Sequence, residues 1–152
     1  MNNLVFTLPF IAFPLFWIFT VWLISIISGW PTLARHYAYI NHAAKPNVLF
    51  RWQSLSMGYA RFFPANYQNV INVGCDETYL YLSVMFPFRV GHTPLKIPFS
   101  EINITDPKFR LSKAKCVIAK EAPNVKIHLN GRLVKKIEQG FLVAAPTSLP
   151  KN

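Results

Sequence analysis

The chain has 152 residues, 52% of them hydrophobic and 14% charged, with a formal net charge of +10. Once a membrane segment is set aside, the residues that remain are enough for one small domain, which is what is expected of them. Cys75 and Cys116 lie far apart with no C-x-x-C spacing; this excludes a disulfide framework, and two buried thiols are expected, with a single bridge as the most they could form.

The stretch from Leu4 to Ser28, LVFTLPFIAFPLFWIFTVWLISIIS, contains no Asp, Glu, Lys, Arg or His. As a helix, its roughly 25 residues would span about 37 Å, enough for a bilayer core with some tilt. It lacks the polar stripe of a helix buried in a soluble domain. Thr7, Thr20 and Ser25 interrupt it, and a hydroxyl can bond back to its own helix. One transmembrane helix is expected. Pro9 suits the first turn, and Pro14 would kink the helix, either marking a packing site for another membrane helix or standing as a tolerated proline of a membrane helix. Trp17 and Trp22 stand out among the aromatics as contacts for lipid or a partner.

Every Lys and Arg follows this segment, beginning with Arg35, and the residues before it are only Met1, Asn2 and Asn3. A cleaved signal peptide needs a basic start, a shorter apolar core and a small-residue cleavage site, so the helix is expected to be retained. The positive-inside rule then puts the amino terminus outside and the basic remainder in the cytoplasm.

Gly29-Trp30-Pro31 ends the span. Trp30 suits the headgroup level, and Pro31 suits the first turn of a new helix. From Pro31 to Ala44, Leu33, Tyr37, Ile40 and Ala44 recur at helical spacing, with Arg35, His36, Asn41 and His42 between them. A short amphipathic neck helix is expected on the membrane surface or against the domain, stopped by Lys45-Pro46-Asn47.

After Phe50 the period changes to two. Strands are predicted over Ser54–Arg61, Asn69–Val73 and Thr78–Val84, the last two joined as a hairpin through Gly74-Cys75-Asp76-Glu77. Leu80, Leu82 and Val84 share one face, and Tyr79, Tyr81 and Ser83 the other. MFPFRVGHTP reads as a loop. Leu95–Ile102 follows as a strand that Pro98 confines to an edge or bulge. Ala114–Lys120 and Val125–Leu129 come next, then a helix from Arg132 to Gln139 with Gly140 as its stop. The division expected is a membrane anchor (1–30), a neck helix (31–47), a β domain (48–141) and a loose tail (142–152).

YLYLSVMFPFRVGHTPLKIPFSEI resembles the central strands of small bacterial membrane proteins with a PH- or GRAM-like domain. GWPTLARHY resembles the neck of proteins with the same signature. The resemblance covers Gly29 to about Ile102. It implies an α+β fold: a PH-like antiparallel sandwich or barrel closed by a carboxy-terminal helix, at a bacterial inner membrane. It also implies a binding or scaffolding module. The loop from about Tyr59 to Asn69 holds only Arg61, which counts against specific inositol-phosphate recognition.

Few residues carry chemistry. His36 and His42 are six apart, on different faces of a helix and a poor metal pair. His92 and His128 have no accompanying ligand motif, so no metal and no cofactor is expected. Cys116 sits in an apolar alternation as a small core residue. Glu101 in PFSEI could form an ion pair with Arg89 or Lys96. GCDET and LNGRL lack the lysine and spacing of a phosphate loop. Lys108, Arg110, Lys113 and Lys115, extended by Lys120, form the densest charge. Near an anionic leaflet each basic side chain contributes about 1 kcal/mol, and the alternative is a solvated basic surface. No recognisable motif reads nucleic acid, and no small-molecule substrate is indicated.

The leading expectation is a single-pass, non-enzymatic adaptor or accessory subunit of a membrane assembly. Its contacts with lipid or a membrane-protein partner would involve Pro14, Trp17, Trp22, Trp30, Arg35 and the basic run. The alternatives are a membrane-bound enzyme using Glu101, His92 or Cys116, and a domain on the outer face in which Cys75 and Cys116 pair.

Overall fold

The opening apolar run folds as one helix, α1 (Asn3–Ser28), which continues through both Pro9 and Pro14. Its segment Pro9–Ser28 is long and apolar enough to cross a membrane. The computed structural model describes residues 3–40, 46–59, 64–105 and 114–144. Thr20 donates its hydroxyl to the Phe16 carbonyl at 2.8 Å, so it costs the helix no unpaired polar group.

Gly29 turns the chain. Its φ of 79° lies in the left-handed region, and a Cβ there would meet a Val125 methyl at 2.8 Å. Only glycine satisfies both constraints. Pro31 then sits in the first turn of α2 (Trp30–Tyr37). This helix is shorter than the expected Pro31–Ala44. After Tyr37 the backbone is drawn into sheet-like pairing, with Ala38 bridged to Leu95 and the Tyr39 N–H donating to the Pro94 carbonyl at 2.7 Å. Trp30, Leu33 and Tyr37 all join the hydrophobic core. The apolar face of α2 is therefore used up inside the domain and has none left for a membrane surface. Residues 41–45, with His42 and Lys45, lie outside the described residues.

Seven antiparallel strands follow: β1 (Val48–Tyr59), β2 (Ala65–Cys75), β3 (Tyr79–Val84), β4 (Leu95–Pro98), β5 (Ile102–Thr105), β6 (Ala114–Ala119) and β7 (Val125–Asn130). They form one sheet in the order β4-β3-β2-β1-β7-β6-β5. The expected strand Leu95–Ile102 is in fact two. Pro98 lacks an N–H and ends β4, and a 3-10 turn, Phe99–Glu101, carries the chain to β5. This split decides the shape. β4 and β5 are the two edges of the sheet, yet three residues separate them in sequence, so the sheet must curl until its edges nearly meet. The turn bonds to both sides of the seam: Phe99 N–H to the Thr78 carbonyl, and Lys120 N–H to the Glu101 carbonyl, each 2.9 Å. The result is a nearly closed barrel.

Curling needs a corner, and β1 supplies it. Its first residues pair only with β2, whereas Leu55 to Met57 pair with β2 on one side and β7 on the other. Between them the register slips from Phe50↔Val73 to Gln53↔Ile71 to Leu55↔Tyr67. Trp52 (φ 59°) and Asn69 (φ 54°) take left-handed backbone at this bend. Such bulges sharpen strand twist. Ser54 and Asn69 pin the corner, the Asn69 N–H donating to Ser54 Oγ at 3.0 Å.

Inside, the period-two residues fill the core: Ile71, Val73 and Cys75 from β2, Leu80, Leu82 and Val84 from β3, Val125, Ile127 and Leu129 from β7. α3 (Gly131–Ala144) closes the domain with Leu133, Val134 and Ile137. It runs through Gly140 instead of stopping there; an interior glycine weakens a helix by about 1 kcal/mol without ending it. Residues 145–152 lie outside the described residues.

Trp52 is strained and 62% exposed, so its side chain returns little burial for its backbone conformation. Left-handed backbone costs a non-glycine residue about 1–2 kcal/mol. Trp52→Gly is expected to stabilise the chain by about 1 kcal/mol in denaturant unfolding of the detergent-solubilised protein. A loss of stability would show that Trp52 contributes packing that outweighs the strain.

Candidate functional site

Among the described residues, a buried polar cluster lies where α1 meets the barrel. Ser25 and Ser28, three apart at the end of α1, face the domain and are fully buried. Ser25 donates its hydroxyl to the Gly91 carbonyl at 2.7 Å, and Ser28 donates to the Ser25 carbonyl at 2.9 Å. Tyr67 of β2 donates to Ser28 Oγ at 2.8 Å and lies 2.8 Å from His92 Nε2. His92 Nδ1 sits 2.8 Å from the Val90 carbonyl. Trp30, 0% exposed, donates its indole N–H to the Thr93 carbonyl at 2.8 Å and stacks edge-on with His92.

Protons in this cluster are limited. The Val90 carbonyl can only accept, so a neutral His92 carries its proton on Nδ1 and leaves Nε2 as an acceptor. The one Tyr67 hydroxyl proton then faces two acceptors, Ser28 Oγ and His92 Nε2. Burial pushes the His92 pKa down, against the Val90 bond that raises it. Burial also pushes Tyr67 up to about 12, partly offset by its bond to Ser28. Both groups are therefore neutral near pH 7. The hydroxyl–imidazole chain is enclosed, with Ser25, Ser28 and His92 all buried within the junction. Its chemical consequence is rigidity: α1 is bonded to the domain through side chains that have no water to exchange with.

The loop between β3 and β4, residues 85–94, completes this junction by climbing back along α1. Phe88 packs against Trp17, with ring centroids 5.1 Å apart. Gly91 (φ 73°) passes so close that a Cβ would lie 2.9 Å from Ser25 Oγ.

A second cluster lies on the outer face of β3. Lys96 of β4 projects over Tyr79, with Nζ 3.9 Å from the ring centroid, and has Tyr39 and Tyr81 at 5.7 and 5.6 Å. Aromatic faces attract a cation at such distances. The Asp76 carboxylate caps the β2–β3 turn, accepting from the Thr78 and Tyr79 N–H groups at 2.8 and 2.6 Å, and from the Tyr81 hydroxyl at 2.6 Å. Burial works to raise the Asp76 pKa, but these bonds and the Lys96 charge outweigh it and hold it below its usual value. Tyr81, on the face of β3 opposite Leu80 and Leu82, is buried in this cluster.

The sequence-derived site residues are scattered by the fold. Pro14 lies on the exposed side of α1, in a shallow recess lined by Pro9, Phe10, Phe13 and Pro14. Trp17 contacts a loop of its own chain, and Trp22 is half-exposed beside Gly91. Trp30 is a core residue, because α2 turns into the barrel. Arg35 is exposed on α2. Lys108, Arg110 and Lys113 lie outside the described residues, as do Arg61 and the Lys115 side chain.

The three residues named for an enzyme keep different partners. Glu101 accepts a hydrogen bond from Tyr37 at 2.8 Å instead of pairing with Arg89 or Lys96. Burial, with this bond next, lifts Tyr37 to about 12. His92 belongs to the junction. Cys116 is a buried thiol in β6, across from His128, and burial pushes its pKa up. Cys75 is likewise free and buried. Among the described residues no three His, Cys, Asp or Glu side chains are grouped to hold a metal ion. The sequence reading did not single out Tyr67 or Ser28. The spacing of Ser25 and Ser28 at the end of an apolar helix was the available signal. The chain matches no protein-family model, and no curated protein matches it.

Tyr67→Phe leaves Ser28 Oγ and His92 Nε2 without their shared donor. It is expected to destabilise the chain by about 1–3 kcal/mol in denaturant unfolding, and an unchanged midpoint would refute the role given to that hydroxyl. The pH dependence has a definite sign. His92 and His128 are held neutral, burial being the main cause for both, with Lys126 adding to it at His128. The unfolded chain therefore binds more protons below the ordinary value of 6.5. This stabilisation is complete above that value and is lost as pH falls towards the folded pKa, so the melting temperature is expected to drop between pH 7 and pH 5.

Proposed function

We propose that the protein is a single-pass, non-enzymatic adaptor or accessory subunit, whose PH-like barrel is held at the membrane surface by α1. One observation carries this reading: α1 projects from the barrel with its large apolar side chains uncovered, Phe10 at 80% and Phe16 at 68% exposure. A continuous apolar surface of this kind requires lipid or protein to cover it. The seven-strand order and closing helix support the PH-like assignment. The barrel would lie in the cytoplasm of a bacterial cell with the amino terminus outside, in keeping with a charge of +10 that lies wholly beyond α1.

The junction gives the arrangement its mechanism. Only Gly29 separates α1 from α2, and α2 is part of the barrel core. A flexible linker would let the domain search a volume around its anchor. Here the domain keeps a fixed orientation to the helix, and with it a fixed orientation to whatever α1 packs against. This suits a subunit that presents one face to a membrane-embedded partner.

Alkaline carbonate washing of membranes is expected to leave the intact chain in the pellet, and its release would defeat the membrane reading. In mild detergent, the tagged chain is expected to retain a membrane protein whose recovery falls several-fold with Phe13→Ala/Phe16→Ala, side chains exposed enough to be changed without loss of fold. Recovery as a lone monomer, or retention indifferent to those substitutions, would count against the subunit role. A cysteine placed at the exposed Glu77 should react with an impermeant maleimide only after cells are permeabilised.

A further inference from the structure

From the β3–β4 loop we propose that the protein enters the bilayer at a second point: residues 85–91 form a wedge beside α1, covered by lipid acyl chains. The proposal rests on the membrane reading of α1 and adds an element that the span alone does not require.

Position is the first argument. Gly91 is fixed to Ser25, and Phe88 to Trp17, eight residues earlier in α1. At ~1.5 Å per residue the loop climbs about 12 Å along the helix. A helix whose Pro9–Ser28 segment crosses the membrane carries Trp17 inside the hydrocarbon, so Phe88 lies there too.

Surface chemistry is the second. Phe86 is 85% exposed and points away from the domain, and Val90 is exposed as well. Arg89, exposed between them, has a stem long enough to carry its guanidinium towards the phosphates. In water, such an apolar tip would be an unsupported liability; against acyl chains it is covered.

Partial pairing of the loop's polar backbone groups, with backbone and with side chains, is the third. Irregular backbone survives in hydrocarbon only where its polar groups are paired. The Met85 N–H donates to the Val70 carbonyl, Phe88 N–H to Met85, and His92 N–H to Arg89. The Gly91, Thr93 and Pro94 carbonyls accept from Ser25, Trp30 and Tyr39, and Val90 is matched with His92. Pro87 has no N–H to satisfy.

The test uses the full chain in phosphatidylcholine/phosphatidylglycerol vesicles. Phe86→Cys, Val90→Cys, Glu77→Cys and Phe16→Cys are each labelled with an environment-sensitive fluorophore. Both native thiols are buried, so labelling without denaturant is directed to the new cysteine, and the unsubstituted chain is the blank. Quenching by acyl-chain doxyl lipid is expected to be at least two-fold stronger at Phe86 and Val90 than at Glu77, with aqueous iodide showing the reverse order. Iodide quenching at Phe86 and Val90, with Phe16 still quenched by doxyl lipid, would overturn the wedge and leave the anchor standing. Iodide quenching at Phe16 as well would overturn both.

Discussion

Everything in this molecule depends on the bond network at the foot of α1. Two serines on one helix face, a tyrosine from β2, a histidine from the following loop and a core tryptophan satisfy one another where water is absent. Buried polar groups of this kind are costly when unmatched and directional when matched. Hydrophobic contact alone would let an apolar helix slide or rotate on an apolar barrel. Paired hydroxyls and carbonyls allow one arrangement, and so α1 and the barrel behave as a single body.

The barrel has its own closing constraint. A sheet with two free edges invites pairing with other chains. Here the three-residue turn Phe99–Glu101 joins the edges, and Tyr37 reaches from α2 to bond Glu101 and accept the Glu121 N–H at 3.3 Å. The same α2 carries Trp30 into the junction. One short helix therefore ties the seam of the barrel to the foot of the anchor. The corner at Trp52 and Asn69 is the complement of that seam, the place where the curvature needed for closure is concentrated.

The outer surface divides accordingly. Large uncovered apolar side chains line α1 and the tip of the β3–β4 loop, which run side by side, and Ile40, Leu49 and Trp52 are uncovered elsewhere. Around Lys96, three tyrosine rings lie near one ammonium, whose charge also helps to hold the Asp76 pKa down.

Much of this was legible in the residues alone. An uncharged run of helical length, Gly29-Trp30-Pro31 as its stop, alternating Leu80, Leu82 and Val84, and an apolar stripe in Arg132–Gln139 each follow from local periodicity. These patterns say which face of an element is apolar. They do not say what covers it. Trp30 could suit a headgroup or a core, and only the turn at Gly29 into the barrel decided for the core. Leu95–Ile102 alternates well enough for one strand, and only the demand that both sheet edges meet divided it at Pro98. Ser25 and Ser28 look like tolerated hydroxyls in a membrane helix until Tyr67 and Gly91, dozens of residues away, arrive as their partners. Local chemistry settles the element, whereas the contacts that give it a role are made between residues remote in sequence, whose meeting depends on how the whole sheet curls.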